Sequence, residues 1–465
     1  MTTVAELSAL PRPPTVGMPF LTLLRTIRDF HTAGATFRDT VGPVTTTNLG
    51  PFVPKLVWVS STQGAHDVLA NHDGSIDKHT TLVRQLRLLG GESVFSLGNE
   101  SWKPRRRTLQ PLFTKQHVEH FTGHMAGAAR HLASAWPAYS VIDIDAESRH
   151  LTLRVLGRSL FGLDLDADAE RLGPPIREVL NYTTARAIAP VRLPVWVPTP
   201  GQRRWSEARA VIWSIVDAAI ANAHTHPGHA ELLDLLFQAK DPDTGLGLTH
   251  EEIRSELTTF LTAGHDTTAT TLSYALWQLG RNADLQTSVA AEALALGERD
   301  LTMADIPDLA LTIRVLHEAL RLCPPAAAVS RSVERDLAID GYRVEAGQDI
   351  IVSIWALHRD PAIWGADADE FDPDRFLPEP SKNRDRWAYL PFGGGMRSCI
   401  GDHFAMTEAA IALATLVREV EFESQDDTFE VALPFTMTAA GPVPVRVRPR
   451  KRAAPPPPAS GQPTA

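Results

Sequence analysis

The feature that most constrains this chain is a helical pattern that runs without a proline from Thr249 to Arg281. Thr249 and Glu252 fit the S/T-x-x-E capping box, and Glu251 adds negative charge to the first turn. Some 32 residues at 1.5 Å each make a rod of about 48 Å. Such a rod crosses a whole domain instead of skirting its surface, so other elements must pack around it. A second helix is expected over 309–322, stopped by Pro324-Pro325. An amphipathic stretch near the start places Phe20, Leu23, Leu24, Ile27 and Phe30 at helical spacing. Strand signals are fewer. Val44–Thr47 and Leu56–Val59 flank a turn at Gly50-Pro51, and Leu337–Ile339 and Tyr342–Val344 flank Asp340-Gly341. Residues 349–354 make a further candidate strand. The fold class expected is mainly α with minor β sheets.

The chain has 465 residues, with no internal repeat and no interdomain linker between 20 and 450. That favours one large domain over 20–450. A leader over 1–19 contains the stiff segment Leu10-Pro11-Arg12-Pro13-Pro14, and Pro455 to Pro458 mark 451–465 as a disordered Pro-rich tail. Two cysteines exclude a disulfide framework, a four-cysteine zinc site and a cysteine-held iron–sulfur cluster. No C-x-x-C-H occurs, which excludes covalent c-type haem attachment. The formal net charge of −10 argues against bulk nucleic-acid binding. No run of about 18 apolar residues points to a membrane span. Met1 to Leu10 carries Glu6 and no basic segment, so no secretory signal is expected and the cytoplasm is the default.

The segment richest in chemistry is Phe392-Gly393-Gly394-Gly395-Met396-Arg397-Ser398-Cys399-Ile400-Gly401. Three glycines free the backbone for tight turns and for close approach to a flat ligand. Cys399 precedes a helical pattern over 403–418, whose N-terminus favours thiolate, helped by Arg397. Backbone N–H groups in the turn could bond the sulfur and tune its electron donation. A glycine loop with one cysteine could equally be a structural turn. The whole pattern F-x-x-G-x-R-x-C-x-G, with Phe404-Ala405 and Glu408 behind it, is far more specific.

With this segment the chain resembles the cytochromes P450, the haem-thiolate monooxygenases of the soluble bacterial type. Three further places match in family order. Glu318-Ala319-Leu320-Arg321 matches the structural E-x-x-R pair, with Arg375 of Phe371-Asp372-Pro373-Asp374-Arg375-Phe376 as its third member. Ala263-Gly264-His265-Asp266-Thr267-Thr268 matches the oxygen-activation motif in the middle of the long helix. There small Ala263 and Gly264 would let the helix pass close to the haem. Thr267 would bond a carbonyl one turn back and open the helix locally, and Asp266 with Thr267 would relay protons. His265 reads as packing or salt-bridging. Trp102 and Arg106 match the family's propionate-contacting pair, and Arg331 and Arg397 match two more such positions.

The resemblance implies a single-domain cytochrome P450 fold with the long helix over the haem. The cofactor implied is haem b (iron protoporphyrin IX), with Cys399 as axial iron ligand and Phe392 and Gly401 in its loop. The reaction implied inserts one oxygen atom from O2 into a hydrophobic small-molecule substrate: a fatty acid, terpenoid, sterol or polyketide-like compound. Electrons would come from NAD(P)H through a ferredoxin or flavodoxin and its reductase, because no such module is appended. Lys103, Arg105 and Arg107 would lie mostly on the proximal surface, either as a solvated basic face or as the dock for that acidic donor. Substrate-lining candidates are Leu82, Val83, Leu86, Leu88, Leu89, Val94, Phe95, Phe260, Leu261, Ala263 and 326–329, each of which could instead be core. Arg84 and Arg87 could meet a substrate carboxylate, or face solvent or the propionates. The helical region 175–223 would form a distal lid. Two alternatives remain: a peroxide-using haem-thiolate enzyme, and a non-catalytic haem-binding sensor.

Overall fold

The computed structural model describes residues 4–48, 50, 55–162, 166–189, 192–226 and 231–450. The helices that position the site are α1 (Phe20–Arg28), α2 (Thr81–Gly90), α3 (Asn99–Leu109), α4 (Ile144–Phe161), α5 (Asp166–Ile188), α6 (Pro200–Thr225), α7 (His250–Arg281), α8 (Ala310–Leu322) and α9 (Asp402–Glu419). The long helix forms as its sequence dictates. Thr249 Oγ1 accepts from the Glu252 N–H (3.3 Å), and Glu252 Oε2 accepts from the Thr249 N–H (2.8 Å). From Thr268 to Trp277 every residue of α7 is buried, because α4, α8, α9 and a strand pack around it. α9 is buried almost throughout from Thr407 to Arg418. Apolar side chains of α4, α6, α7, α8 and α9 share one large core.

The β part is smaller. Five strands, β1 (Val44–Thr47), β2 (Leu56–Val59), β3 (Ile76–Asp77), β4 (Ala328–Val333) and β5 (Asp349–Ser353), form a sheet in the order β1-β2-β5-β4-β3. β2 pairs parallel to β5, with Val57 opposite Ile350, and β4 pairs antiparallel to β5, with Arg331 opposite Ile350. The hairpin over Leu337–Ile339 and Tyr342–Val344 turns through Asp340 and Gly341, both at positive φ. β1 and β2 are antiparallel, and the expected turn residue Pro51 lies outside the described residues.

Residues assigned to the leader join this sheet. The Val16 N–H donates to Thr46 O (2.9 Å) and the Thr46 N–H donates to Pro14 O (2.8 Å). Val16 is buried against Trp58 and Phe37. The Pro-rich tail, 451–465, lies outside the described residues.

Candidate functional site

The cysteine loop is clamped from several sides. The Cys399 N–H donates to Phe392 O (2.9 Å), which closes the turn, and the Gly401 N–H reaches the sulfur. Arg106 Nη1 donates to Ser398 O (3.1 Å), tying α3 to the loop. Arg397 donates to Leu97 O (2.9 Å) and to Asn99 Oδ1 (2.8 Å), and its guanidinium stacks 4.2 Å over the Trp102 ring. The chain leading into the loop is fixed by a deeper lock. Arg321, fully buried, uses all five N–H donors: two on Glu318 and three on the carbonyls of His358, Ala368 and Glu370. Arg375 Nε stands 3.6 Å from Glu318 Oε1, so the three residues expected together are together. The Leu390 N–H then donates to His358 Nε2 (2.8 Å), two residues before Phe392.

Cys399 carries accessible surface on one side and is enclosed by protein on the others. The enclosure pushes its thiol above the ordinary value, against the Gly401 N–H and the charges of Arg106 and Lys78, which pull it down. The helix end and Arg397 were expected to favour thiolate over thiol. Desolvation outweighs them, and bound iron is what would strip the proton.

Around the loop stands a cluster of cations. Burial lowers Arg331 to about 10 and Arg397 to about 9, and Arg397 also feels Arg331 nearby. Lys78, held well below its ordinary value by burial and by the same two arginines, donates to Phe95 O (2.7 Å). Arg106 is lowered by burial as well. Asp77 is the carboxylate that offsets Arg331 and Arg397, 3.6 Å from the latter. Crowded, desolvated cations of this kind suit a ligand that brings two carboxylates, and a single accessible thiol beside them suits a soft metal. The residues present therefore fit haem. Lys78 was missed by sequence reasoning, since an isolated lysine after a two-residue strand carries no signal.

The third component is one face of α7. In its middle, between Thr258 and Trp277, the residues that keep accessible surface are Thr259, Thr262, Ala263, Gly264 and Thr267. Spacings of four put Thr259, Ala263 and Thr267 on one stripe, with Thr262 and Gly264 on its two flanks. Thr267 Oγ1 donates to Ala263 O (2.8 Å), one turn back, while the helix stays continuous across the motif. The local opening expected there is not seen, because neighbouring threonines make the same bond without breaking the helix.

Asp266 is buried and turned to α4. Arg149 binds it and also donates to Asp145 Oδ2 (2.8 Å). His265 is buried and lowered to about 4 by desolvation, so it is neutral; its Nδ1 lies 3.1 Å from Thr152 Oγ1 and its Nε2 3.7 Å from Asp266. This matches a packing role. Arg149 was invisible in the sequence, being 117 residues from its partner.

Other expectations need correction. A Cβ on Gly264 would press on the Leu156 side chain, so this glycine serves the crossing of α7 and α4. Gly395 is required by φ +68° and by the Leu69 carbonyl, which a Cβ would strike; Gly394 packs on Trp387, and Gly393 serves the turn by its φ of +71°. Arg105 is buried in ion pairs with Glu252 and Glu256, and Arg107 pairs with Asp241 and Asp243. At 100° per residue, Arg105, Arg106 and Arg107 point three ways, so the basic docking patch is reduced to Lys103. Arg87 braces Ser96 O (2.6 Å), and exposed Arg84 meets Thr81. Of the lining candidates, Leu82, Leu88, Phe95, Ala263, Ala326, Ala328 and Val329 keep accessible surface. Val83, Leu86, Val94, Phe260, Leu261 and Ala327 are core, and the Leu89 side chain lies outside the described residues.

The sequence model described as Cytochrome P450 matches residues 11–447. Cyclooctatin synthase of Streptomyces melanosporofaciens is 38% identical over 316 residues, 67% of this chain and 69% of that protein. Cyclooctat-9-en-7-ol 5-monooxygenase of the same organism is 35% identical, covering 73% of this chain and 74% of its own length. Putative cytochrome P450 137 of Mycobacterium tuberculosis is 32% identical, covering 78% and 76%.

Proposed function

The chain belongs to the cytochrome P450 family and is an oxidoreductase of the monooxygenase kind, and from that premise we propose that it oxygenates a hydrophobic, terpenoid-like ring compound. The observation that carries the site assignment is the stripe of Thr259, Ala263 and Thr267, the one face in the middle of α7 that the core leaves uncovered. Haem b held there would supply activation of O2 and transfer of one oxygen atom. Cys399 would hold its iron, and Lys78, Trp102, Arg106, Arg331 and Arg397 would hold its propionates. Phe392 and Gly401 shape the sulfur's surroundings from the backbone.

The chain's own task is proton delivery. The Thr267 hydroxyl lies on the accessible stripe, with Ala263 O as its present acceptor. Asp266 lies one residue away but is engaged by Arg149. To pass a proton towards Thr267, its carboxyl has to leave that arginine. Arg149 is thus a positioning residue that sets when the acid is available. The presence of both acid and alcohol favours use of O2 over peroxide.

Small, apolar accessible residues such as Ala263, Ala326, Ala328 and Val329 support a hydrocarbon substrate, and one relative is named for 5-monooxygenation of cyclooctat-9-en-7-ol. Electrons would come from NAD(P)H through a separate ferredoxin or flavodoxin and its reductase. α5 and α6 pack on α2 and α7 and would form the lid. The test is a titration of haem-loaded protein with cyclic terpenoid alcohols, sterols and fatty acids. A low- to high-spin shift with the terpenoids, followed by oxygenated product with surrogate redox partners, is expected. A shift confined to fatty acids would overturn the substrate assignment.

A further inference from the structure

A groove of about 480 Å³ lies between the helix Thr122–Ala135 and the ends of α9 and of the strand Pro444–Pro449. It is lined by Trp136, Pro137 and Pro449 and by the hydrogen-bond donors Arg130, His131 and Arg448. Trp136 is half-buried and fixed: its Nε1 donates to Glu147 Oε2 (2.8 Å), and its ring meets Phe422 edge-on at 5.9 Å. Next to the lining residue Ala138 stands Tyr139, 65% exposed and at φ 63°. The other non-glycine residue at positive φ among those described, Asp340, turns a hairpin. A tyrosine in left-handed backbone is strained, and an exposed ring returns little burial for that strain. Trp136 and Tyr139 thus present two aromatic rings, the kind of surface on which proline-rich chains dock.

The chain carries such a segment at this place. Pro449 lines the groove, and the Arg450 N–H donates to the carbonyl of Glu419 (2.9 Å), another lining residue. Residues 451–465, outside those described, follow at once and contain Pro455-Pro456-Pro457-Pro458. The four residues before Pro455 reach up to about 14 Å, enough to turn the chain back over the groove. Four prolines as polyproline II cover about 12 Å and are already stiff, so seating them costs little entropy. A proline run has carbonyls and no N–H, so its seat must offer donors. Arg130 and Arg448 each give one nitrogen to a carboxylate, Asp300 and Glu423, and a guanidinium has five N–H groups.

We propose that this groove seats the chain's own tail, with Pro455–Pro458 against Trp136 and Tyr139 and their carbonyls towards Arg130, His131 and Arg448. A tether this short holds the segment at an effective concentration on the order of 1 mM, so a groove with a Kd of about 0.1 mM is filled roughly ten times more often than it is empty. The seat is at the C-terminal end of α9, and α9 runs about 27 Å from its start beside Cys399, so the tail braces the fold and leaves the reaction alone.

The test is tryptic release of the tail from full-length, haem-loaded protein, cut after Lys451 and Arg452 and followed by mass spectrometry. Two variants are compared with the wild type. One changes Pro455–Pro458 to serine. The other is Tyr139→Gly, which keeps the turn because glycine accepts φ 63°. Both should release the peptide 453–465 about tenfold faster than the wild type, and the amides of 134–140 should exchange faster in both. Equal release from all three proteins would overturn the proposal. Faster release from the serine variant alone would put the tail elsewhere and overturn the groove as its seat. Protection that disappears on dilution would assign the tail to the groove of a second copy and overturn the intramolecular seat.

Discussion

Two buried arginine–carboxylate groups, one bracing the chain before the cysteine loop and one beside the accessible stripe of α7, are built differently. On the cysteine side, Arg321 has every donor satisfied, three of them by carbonyls of the segment that leads to the loop. Glu318 also accepts the Asp372 N–H (2.9 Å). Nothing in that group is free to move without breaking backbone anchors. On the α7 side, Arg149 spans two carboxylates, Asp145 and Asp266, with no backbone carbonyl among its bonds to the described residues. Asp266 sits next to the accessible stripe, and neutral His265 packs beside it. The lesson is that burial alone does not make an ion pair a lock. Backbone saturation makes the first group rigid, and side chains alone leave the second adjustable.

The largest expected effect breaks the rigid group. Arg321→Lys cannot reproduce five donors and leaves Glu318 and several carbonyls unpaired, so urea unfolding should show a loss of about 3–5 kcal/mol and poor haem retention. A loss as small as that of a surface pair would remove the distinction.

Next comes the carboxylate that ties the loop before α3 to α7. Glu256 accepts from the Val94 N–H (2.8 Å) and from Arg105 (2.7 Å), and burial raises it to about 7. A raised pKa means that the folded chain holds the proton longer than the unfolded one. The group's contribution is full below the unfolded value near 4.5 and is lost as pH rises through about 7. The stability of the wild type relative to Glu256→Gln should fall by up to about 3 kcal/mol across that window. A flat difference in pH-dependent urea midpoints would show that the carboxyl is ordinary.

Thr267→Ala leaves the fold unchanged and should lower product formed per NADPH at least about tenfold while peroxide rises. Full coupling would remove Thr267 from proton delivery. The smallest effect sharpens the comparison itself: Arg149→Lys should cost only about 1–2 kcal/mol and shift the pH profile of coupling. Destabilisation equal to that of Arg321→Lys would make Arg149 a lock too.

The long helix, the cysteine loop and the Glu318–Arg321 pair were legible because each is local: a cap, a ten-residue pattern, a three-residue spacing. The mainly helical fold with small sheets followed from the same signals. What was not legible arises from tertiary contact. Arg149 meets Asp266 across 117 positions, and Arg105 meets Glu256 across 151. Lys78 enters the cation cluster only because β3 pairs with β4 beside Arg331. The misreading of Arg105 and Arg107 has the same root, since adjacent positions on a helix face different neighbours. The run of glycines was read as freeing the backbone for tight turns and for approach to a flat ligand; Gly393 and Gly395 at positive φ bear out the turns, and the room that Gly395 leaves for the Leu69 carbonyl was not foreseen.

The two cysteines offer the most direct test of the whole assignment. Cys323 is fully buried, 3.7 Å from Met437 Sδ, and its thiol is pushed up to about 12 by burial. Cys399 keeps accessible surface among cations. The measurement is the absorption spectrum of the ferrous carbon-monoxide complex in Cys399→Ser and Cys323→Ser beside the wild type. The account predicts that the thiolate-type Soret band disappears in Cys399→Ser and persists in Cys323→Ser. Persistence of the band in Cys399→Ser would contradict it.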